Sequence, residues 1–321
     1  MEVKGIAPRE AFGKALVKLG RLNERVVVLD ADVSTSTKTS EFRKVFPARF
    51  FQIGIREQNM IGIAAGMATV GLIPFASTFA VFATKRACDQ VSISVAYPRL
   101  NVKINGSYGG IPTGKAGATH QSVQDIAIMR SMPNMTVIVP ADGVETEKAV
   151  FASAEMEGPV YIRTVRCPVP VIFKEDYHFR IGKAVVLREG DDITLISTGM
   201  MTPKAISAAE ILNREGINPR LIHMPTIKPI DKEAILESAE KTRAIITIEN
   251  HSIIGGLGGA VAEVLTESCP TILKRIGIRD HFGESGDNEA IFSKYGMNTE
   301  NIVETAKKLL EGRGENEDCG H

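Results

Sequence analysis

Charge excess, paired cysteines and long apolar runs are all missing from this chain, and each absence closes off a class of function. The 38 lysines and arginines balance 38 aspartates and glutamates, so no basic surface for nucleic acid is expected. Four cysteines, Cys88, Cys167, Cys269 and Cys319, stand far apart with no C-x-x-C pair. That excludes a zinc ribbon or disulfide framework and reads as reduced thiols in a cytoplasmic protein. No apolar run approaches the ~20 residues of a membrane span, and the N-terminus lacks a secretory signal pattern. The glycines at 255, 256, 258 and 259 follow a strand and open a helix, but their spacing is not G-x-G-x-x-G. Close helix packing explains them better than a nicotinamide site.

What is present is 321 residues, 44% of them hydrophobic, a length that suits two domains or one large one. Apolar residues at 11, 12, 15, 16 and 19 predict a helix over 8–19. The run Val26-Val27-Val28-Leu29-Asp30 reads as a buried parallel strand opening on Asp30-Ala31-Asp32, and ligands of open α/β sheets bind at such strand ends. The hydroxyls of 34–37 could hold a phosphate or cap a turn, and residue type alone favours the turn. A brief strand at 74–77 is followed by Thr78, a suitable N-cap for a helix placing Phe79, Phe82, Arg86 and Gln90 on one side. Strands at 101–104, 135–140 and 160–163, with a helix at 143–155, complete a first domain, 1–167. Prolines and scattered charges mark 168–182 as a linker. A second domain, 183–312, alternates strands at 192–197, 218–223, 244–249 and 271–276 with helices at 203–215, 232–238, 255–267 and 299–310. The polar residues 313–321 read as a disordered tail. The fold class is therefore α/β, two doubly wound domains on parallel sheets.

The most informative stretch is 54–68, Gly-Ile-Arg-Glu-Gln-Asn-Met-Ile-Gly-Ile-Ala-Ala-Gly-Met-Ala. It starts polar and becomes apolar on every face, which predicts a buried helix. Small residues at 62, 64, 65, 66 and 68 suggest that another backbone packs closely on it. Glu57 would sit at its mouth, where desolvation disfavours a charged carboxyl and suits a partner for a protonated ring nitrogen. An acid in a first turn can also merely complement the helix dipole. A second candidate is His120, at the end of a glycine-dense loop over 106–117 where backbone and ligand can approach closely.

Phe51-Gln52-Ile53-Gly54-Ile55-Arg56-Glu57-Gln58 resembles the thiamine-diphosphate pyrimidine-binding segment of transketolases, and the likeness continues in order. It is carried further by Ser77-Thr78-Phe79, 114–121, Arg130-Ser131-Met132-Pro133-Asn134, Pro140-Ala141-Asp142-Gly143 and Thr226-Ile227-Lys228-Pro229. From about Pro8 to Leu310 the chain is similar to the C-terminal part of a transketolase, a pyrimidine-binding domain followed by the family's C-terminal domain. The resemblance implies that Glu57 hydrogen-bonds the aminopyrimidine of thiamine diphosphate and so favours the tautomer that acts as the cofactor's own base. It implies that Phe79 and Phe82 pack around that ring, that Ile55 supports the bent cofactor, and that Asp32 lies near the cofactor and subunit interface. Arg9, Ser36 and Arg163 match sugar-phosphate anchors. His120 matches a histidine that touches the substrate and shuttles protons.

Two departures stand in the loop. Tyr108 replaces a histidine, and Lys115-Ala116 replaces the family's Glu-Asp between two glycines, so the usual ketose preference is not implied. The Gly-Asp-Gly motif, which with a following Asn ligates Mg²⁺ (or Ca²⁺) on the diphosphate, is absent. No metal ligands are therefore expected in this chain. A separate N-terminal subunit would supply the motif, with two copies of each chain and sugar phosphates as substrates. The expected activity is transfer of a two-carbon ketol unit between a ketose phosphate and an aldose phosphate, in the pentose phosphate pathway. The relatives 1-deoxyxylulose-5-phosphate synthase and the β chain of 2-oxoacid dehydrogenases share the domain pair. A non-catalytic scaffold remains the reading from another class.

Overall fold

A computed structural model describes residues 5–314; from residue 315 onward the expected tail lies outside the described residues. Its strands are β1 (Val26–Asp30), β2 (Phe50–Gln52), β3 (Ile73–Phe79), β4 (Lys103–Ser107), β5 (Thr136–Ile138), β6 (Val160–Arg163), β7 (Val185–Arg188), β8 (Ile193–Ser197), β9 (Pro219–His223), β10 (Thr226–Lys228), β11 (Ala244–Ser252) and β12 (Ile272–Ile278). The first sheet has the order β10-β5-β6-β4-β3-β1-β2 and the second β12-β11-β8-β9-β7. Pairing is parallel except at two edges, β10 against β5 and β7 against β9. Helices cover both faces, which is why β1, β3 and β4 are buried along their whole lengths. The α/β doubly wound reading holds, with an antiparallel edge on each sheet. Among the described residues no helix is long and apolar enough to cross a membrane.

β10 comes from beyond the first domain yet completes the first sheet. Its Lys228 donates to the carbonyl oxygens of Arg130 and Met132 at 3.0 and 2.5 Å. One apolar cluster runs through both sheets, with Val137 and Val139 of the first meeting Ile196, Ile222 and Ile245 of the second. The linker is not a free tether either. Val169 bridges to Ile6, and the amides of Ile172 and Phe173 donate to Asp142 at 2.7 and 2.9 Å.

Two local expectations are corrected. Thr78 is not an N-cap but lies inside β3, because Ser77-Thr78-Phe79 pairs residue by residue with Asn105-Gly106-Ser107. The chain then turns through two wide π-helical segments, Phe82–Arg86 and Gln90–Ala96. The second correction concerns the Glu57–Thr69 helix, which is not buried all round. Met60, Ile61, Ala64 and Ala65 face the core, while Gln58, Asn59, Gly62 and Gly66 are exposed. A Cβ at Gly62 or Gly66 would meet nothing within 4 Å, so no backbone packs there within this chain. By contrast, the glycines at 255–259 do mark close packing. A Cβ on Gly256 would lie 2.0 Å from Glu249 Oε2, whose carboxylate accepts the amides of Leu257 and Gly258 at the helix start.

Candidate active site

The C-terminal ends of β1, β3 and β4 bring the candidate residues to one edge of the first sheet. Glu57 opens its helix with its side chain 1% exposed. Arg86, closing the first wide turn, places Nη1 at 2.9 Å from both Glu57 carboxylate oxygens. The glutamate is thus paired with a cation rather than alone in a dry cavity. The same guanidinium lies over the Phe82 ring at 4.3 Å, a cation–π contact that fixes both groups. Phe82 stacks on Phe79 at 5.9 Å, and Phe79 stacks on Tyr108 at 4.3 Å. His120 sets its edge against Phe79 and Phe82 at 5.9 and 5.5 Å. Its Nδ1 is 2.9 Å from the Thr119 hydroxyl.

The row continues into two arginines. Tyr108, at φ +62°, is held in a backbone region that bulky residues rarely adopt. Its ring lies beneath the guanidinium groups of Arg9 and Arg166 at 5.4 and 5.5 Å. Arg9 donates through Nη1 to the Tyr108 hydroxyl at 3.1 Å and to the Ser36 carbonyl at 2.9 Å, and through Nε to the Arg166 carbonyl at 3.1 Å. Arg166 donates through Nη1 to Thr113 O at 2.6 Å. Among the described residues neither Nη2 has a hydrogen-bond partner, and both arginines line a cavity of about 530 Å³ with Ala116 and Asn288 and without an aspartate or glutamate in its wall. The glycine-dense loop is held from the second domain. Ile111 N donates to Asn250 Oδ1 at 3.1 Å, Gly114 N to Asn288 Oδ1 at 3.2 Å, and Gln121 Nε2 to Glu284 O at 2.9 Å.

The structure therefore gathers Glu57, Phe79, Phe82, His120 and Arg9, with Ser36 contributing its backbone oxygen. Arg163 is not among them. It is 3% exposed and bound to Asp125 through Nε at 2.6 Å, with Nη2 on the Ser122 and Asn250 carbonyls at 3.1 and 2.9 Å. Burial pushes the Asp125 carboxyl up, but Arg163 and His251 outweigh it and leave it below its usual value. Arg166, three residues on and past the strand end, lines the cavity beside Arg9 instead. Asp32 (φ +65°) and Ile55 (69% exposed) flank the row, and among the described residues neither side chain is hydrogen-bonded or ring-stacked to it. Arg86 was missed as the partner of Glu57, although it stands one turn after Phe82 on the same side. Of the 34–37 hydroxyls, that of Thr37 serves the turn. Thr37 and Thr39 donate to Asp30 at 2.7 and 2.8 Å, and burial still pushes that acid up to about 6.

Two doubly wound sheets, with an acid–aromatic cluster at the strand ends of the first, define an α/β protein with a candidate ligand cleft where such sheets bind ligands. Comparison with known proteins narrows the class. The model "Transketolase, pyrimidine binding domain" matches residues 4–170, and "Transketolase, C-terminal domain" matches 182–302. A solved structure titled split gene transketolase, inactive beta4 tetramer, is 51% identical over 96% of this chain and 99% of its own, with a TM-score of 0.88. A 6-deoxy-6-sulfo-D-fructose transketolase subunit from Clostridium sp. is 44% identical over 94% of both chains. Human transketolase is 38% identical over 95% of this chain but only 49% of its own length. The chain belongs to the transketolase family and spans its pyrimidine-binding and C-terminal domains.

That family uses thiamine diphosphate, and the residues present fit the pyrimidine end of it. Glu57 offers a buried carboxylate to a ring nitrogen, and the Phe79–Phe82 pair offers a flat apolar wall. Among the described residues the Ser77, Thr78 and Ser107 hydroxyls at the same strand ends are buried without hydrogen-bond partners.

Proposed function

We propose that this chain is the C-terminal subunit of a transketolase acting in the cytoplasm. In this reading it moves a two-carbon ketol unit from a ketose phosphate to an aldose phosphate of the pentose phosphate pathway. The observation that carries the reading is the continuous row from Glu57 and Arg86 through the aromatic rings and His120 to Arg9 and Arg166. It joins a cofactor-ring partner, a candidate proton carrier and an anion anchor in one cleft.

Thiamine diphosphate supplies a carbon nucleophile that stores the electrons of a broken carbon–carbon bond. The protein's part is positional. Glu57 holds the aminopyrimidine nitrogen and sets its tautomer, with Arg86 fixing the carboxylate. Phe82 and Phe79 would pack against that ring and exclude water, Ile55 would support the cofactor, and Asp32 would border it. His120, set by Thr119 and two ring faces, takes and returns the substrate hydroxyl proton. Arg9 and Arg166, with Ser36, hold the terminal phosphate in a two-pronged grip. Ala116 leaves no acid beside that grip, and the sulfo-sugar specificity named for the Clostridium relative fits an anchor that recognises any tetrahedral anion.

The Gly-Asp-Gly motif that holds Mg²⁺ or Ca²⁺ and the diphosphate is not in this sequence. We assign it to an N-terminal partner subunit, in an assembly with two copies of each chain. The test is to mix this chain with that partner, thiamine diphosphate and Mg²⁺, and to follow ketol transfer from xylulose 5-phosphate to ribose 5-phosphate. Turnover in the mixture and in neither part alone supports the proposal. A cofactor-loaded complex that transfers nothing from the ketose but releases CO₂ from pyruvate overturns it. Light scattering on the mixture checks the stoichiometry.

A further inference from the structure

The open edge of the second sheet carries a cavity that the proposed reaction does not use. It lies where β12 faces the Thr299–Gly314 helix, has a volume of about 460 Å³, and is lined by Lys274, Arg275, Arg279, Lys294 and Lys308, with no aspartate or glutamate in its wall. Three of the five cations are engaged. Lys308 is bound to Glu304 at 2.5 Å, Lys294 to Glu284 at 2.6 Å, and Arg275 donates to Ile253 O at 3.0 Å. Among the described residues no acid lies within ion-pair distance of Lys274 or Arg279. An edge strand commonly carries lysine to keep other strands off. That accounts for Lys274 alone, since Arg279, Lys294 and Lys308 stand off the strand.

Arg275 turns to the other face of the strand, against Gly258 and Ile253 O, but Lys274, Arg279, Lys294 and Lys308 remain around a concavity of this size, which matches a small molecule bearing a phosphate or diphosphate group. The surroundings also tie the cavity to the catalytic loop. Glu284 accepts from Lys294 and, at 3.1 Å, from the hydroxyl of Tyr295, another residue of the wall. The backbone oxygen of Glu284 receives Gln121 Nε2 at 2.9 Å, next in sequence to His120. The neighbouring Gly283 is pressed on Gln121 so closely that a Cβ there would lie 1.8 Å from its Oε1. An anion in the cavity would compete with Glu284 for Lys294 and so loosen the segment that braces the loop.

We propose that this cavity is a second anion site, for a phosphorylated small molecule, whose occupation is transmitted through Glu284 and Gln121 to the loop bearing His120. The binding part stands independently of the ketol-transfer reading. The probe is inorganic diphosphate, titrated calorimetrically into the full chain at fixed ionic strength. All variants carry R9Q/R166Q, which removes the anion anchors of the active site. The R9Q/R166Q protein is expected to bind diphosphate, and adding K274Q/R279Q is expected to weaken that binding at least tenfold. Equal binding by the two proteins, or none by R9Q/R166Q, overturns the site. Hydrogen exchange over residues 106–121 is expected to quicken at saturating diphosphate in R9Q/R166Q and not when K274Q/R279Q is added. Exchange that is unchanged in the first protein overturns the link to the loop.

Discussion

Two arginines three residues apart have opposite surroundings in this structure, one buried on Asp125 and one lining a cavity, and substituting each in turn tests the separate jobs we propose for them. Arg166→Gln removes one prong of the anion grip while the Thr113 contact and the Tyr108 stack are on the surface of the cavity, so folding should survive. Loss of a charge-assisted hydrogen bond to phosphate is worth about 1.5–3 kcal/mol, equivalent to a rise in KM of roughly ten- to 150-fold. The rise should appear for xylulose 5-phosphate and vanish for unphosphorylated xylulose. Arg163→Gln strands Asp125, a carboxylate with no exposure, and breaking a buried pair in this way costs about 3–5 kcal/mol. Against a total stability of about 5–15 kcal/mol, that is a large fraction, visible as a lower urea midpoint. Steady-state kinetics in the reconstituted complex and urea unfolding of each variant provide the two readouts. If Arg163→Gln unfolds at the wild-type midpoint and loses discrimination between phosphorylated and plain sugar, while Arg166→Gln keeps it, the assignment is refuted.

Glu57→Gln keeps the size and the Arg86 contact but removes the carboxylate, and kcat of the complex should fall by about 10²–10⁴ with an unaltered urea midpoint. Tyr108→Phe retains the ring stack and loses the hydroxyl that accepts from Arg9; KM for the phosphorylated donor should rise a few-fold, by about 0.5–1.5 kcal/mol, with kcat kept. Burial pushes Glu249 up to about 7, so the folded state holds a proton that the unfolded chain releases near its ordinary value of about 4.3. That contribution is complete below the lower value and is lost as pH rises through about 7. The stability difference between wild type and Glu249→Gln should therefore shift in favour of the variant from pH 4.5 to 7.5, by on the order of 3 kcal/mol, and parallel curves would count against the buried proton. Asn250→Ala leaves the Ile111 amide without its acceptor, a cost of about 1–3 kcal/mol. Donor KM should rise while thiamine diphosphate affinity, measured by quenching on titration, stays within twofold.

Local signals were legible where local forces decide. The helix expected at 143–155 is found at those bounds, since Asp142 caps it by accepting the Glu145 amide at 2.8 Å. β1 is as expected because five consecutive buried residues leave a strand no alternative in a helix-covered sheet. The failures belong to long-range forces. Thr78 has the residue type of an N-cap, yet pairing with β4 draws it into β3. The face carrying Gly62 and Gly66 had the composition of a buried contact, and composition says nothing about whether the neighbour is in the same chain. Arg163 and Arg166 sit on either side of a strand end, and a motif of arginines three apart does not reveal where the strand stops. β10 could not be assigned to the first sheet from three residues, because its partner is about 90 positions earlier.

The placement of β10 also ties the second domain to the loop that carries His120. With that strand in the first sheet and a common apolar core behind it, the two sheets are coupled rather than hinged. The residues at the ends of β11 and beyond β12 then reach a fixed position against the first domain. Asn250, Glu284 and Asn288 each take a hydrogen bond from the 106–121 loop. Gly110, at φ +78°, is where that loop passes the amide of Asn250, and a Cβ would lie 2.0 Å from its Nδ2. Only glycine combines that backbone conformation with that approach. The loop's glycines are thus matched to a surface supplied from outside its own domain. That surface holds Ile111, Gly114 and Gln121 of the loop, whereas Glu57, the phenylalanines, Tyr108 and His120 find their ring and ion-pair partners within the first domain. In the proposed reading the loop is braced from the second domain while the acid–aromatic row stands on the first sheet, so changes in the loop's brace would bear on substrate choice before they reach Glu57.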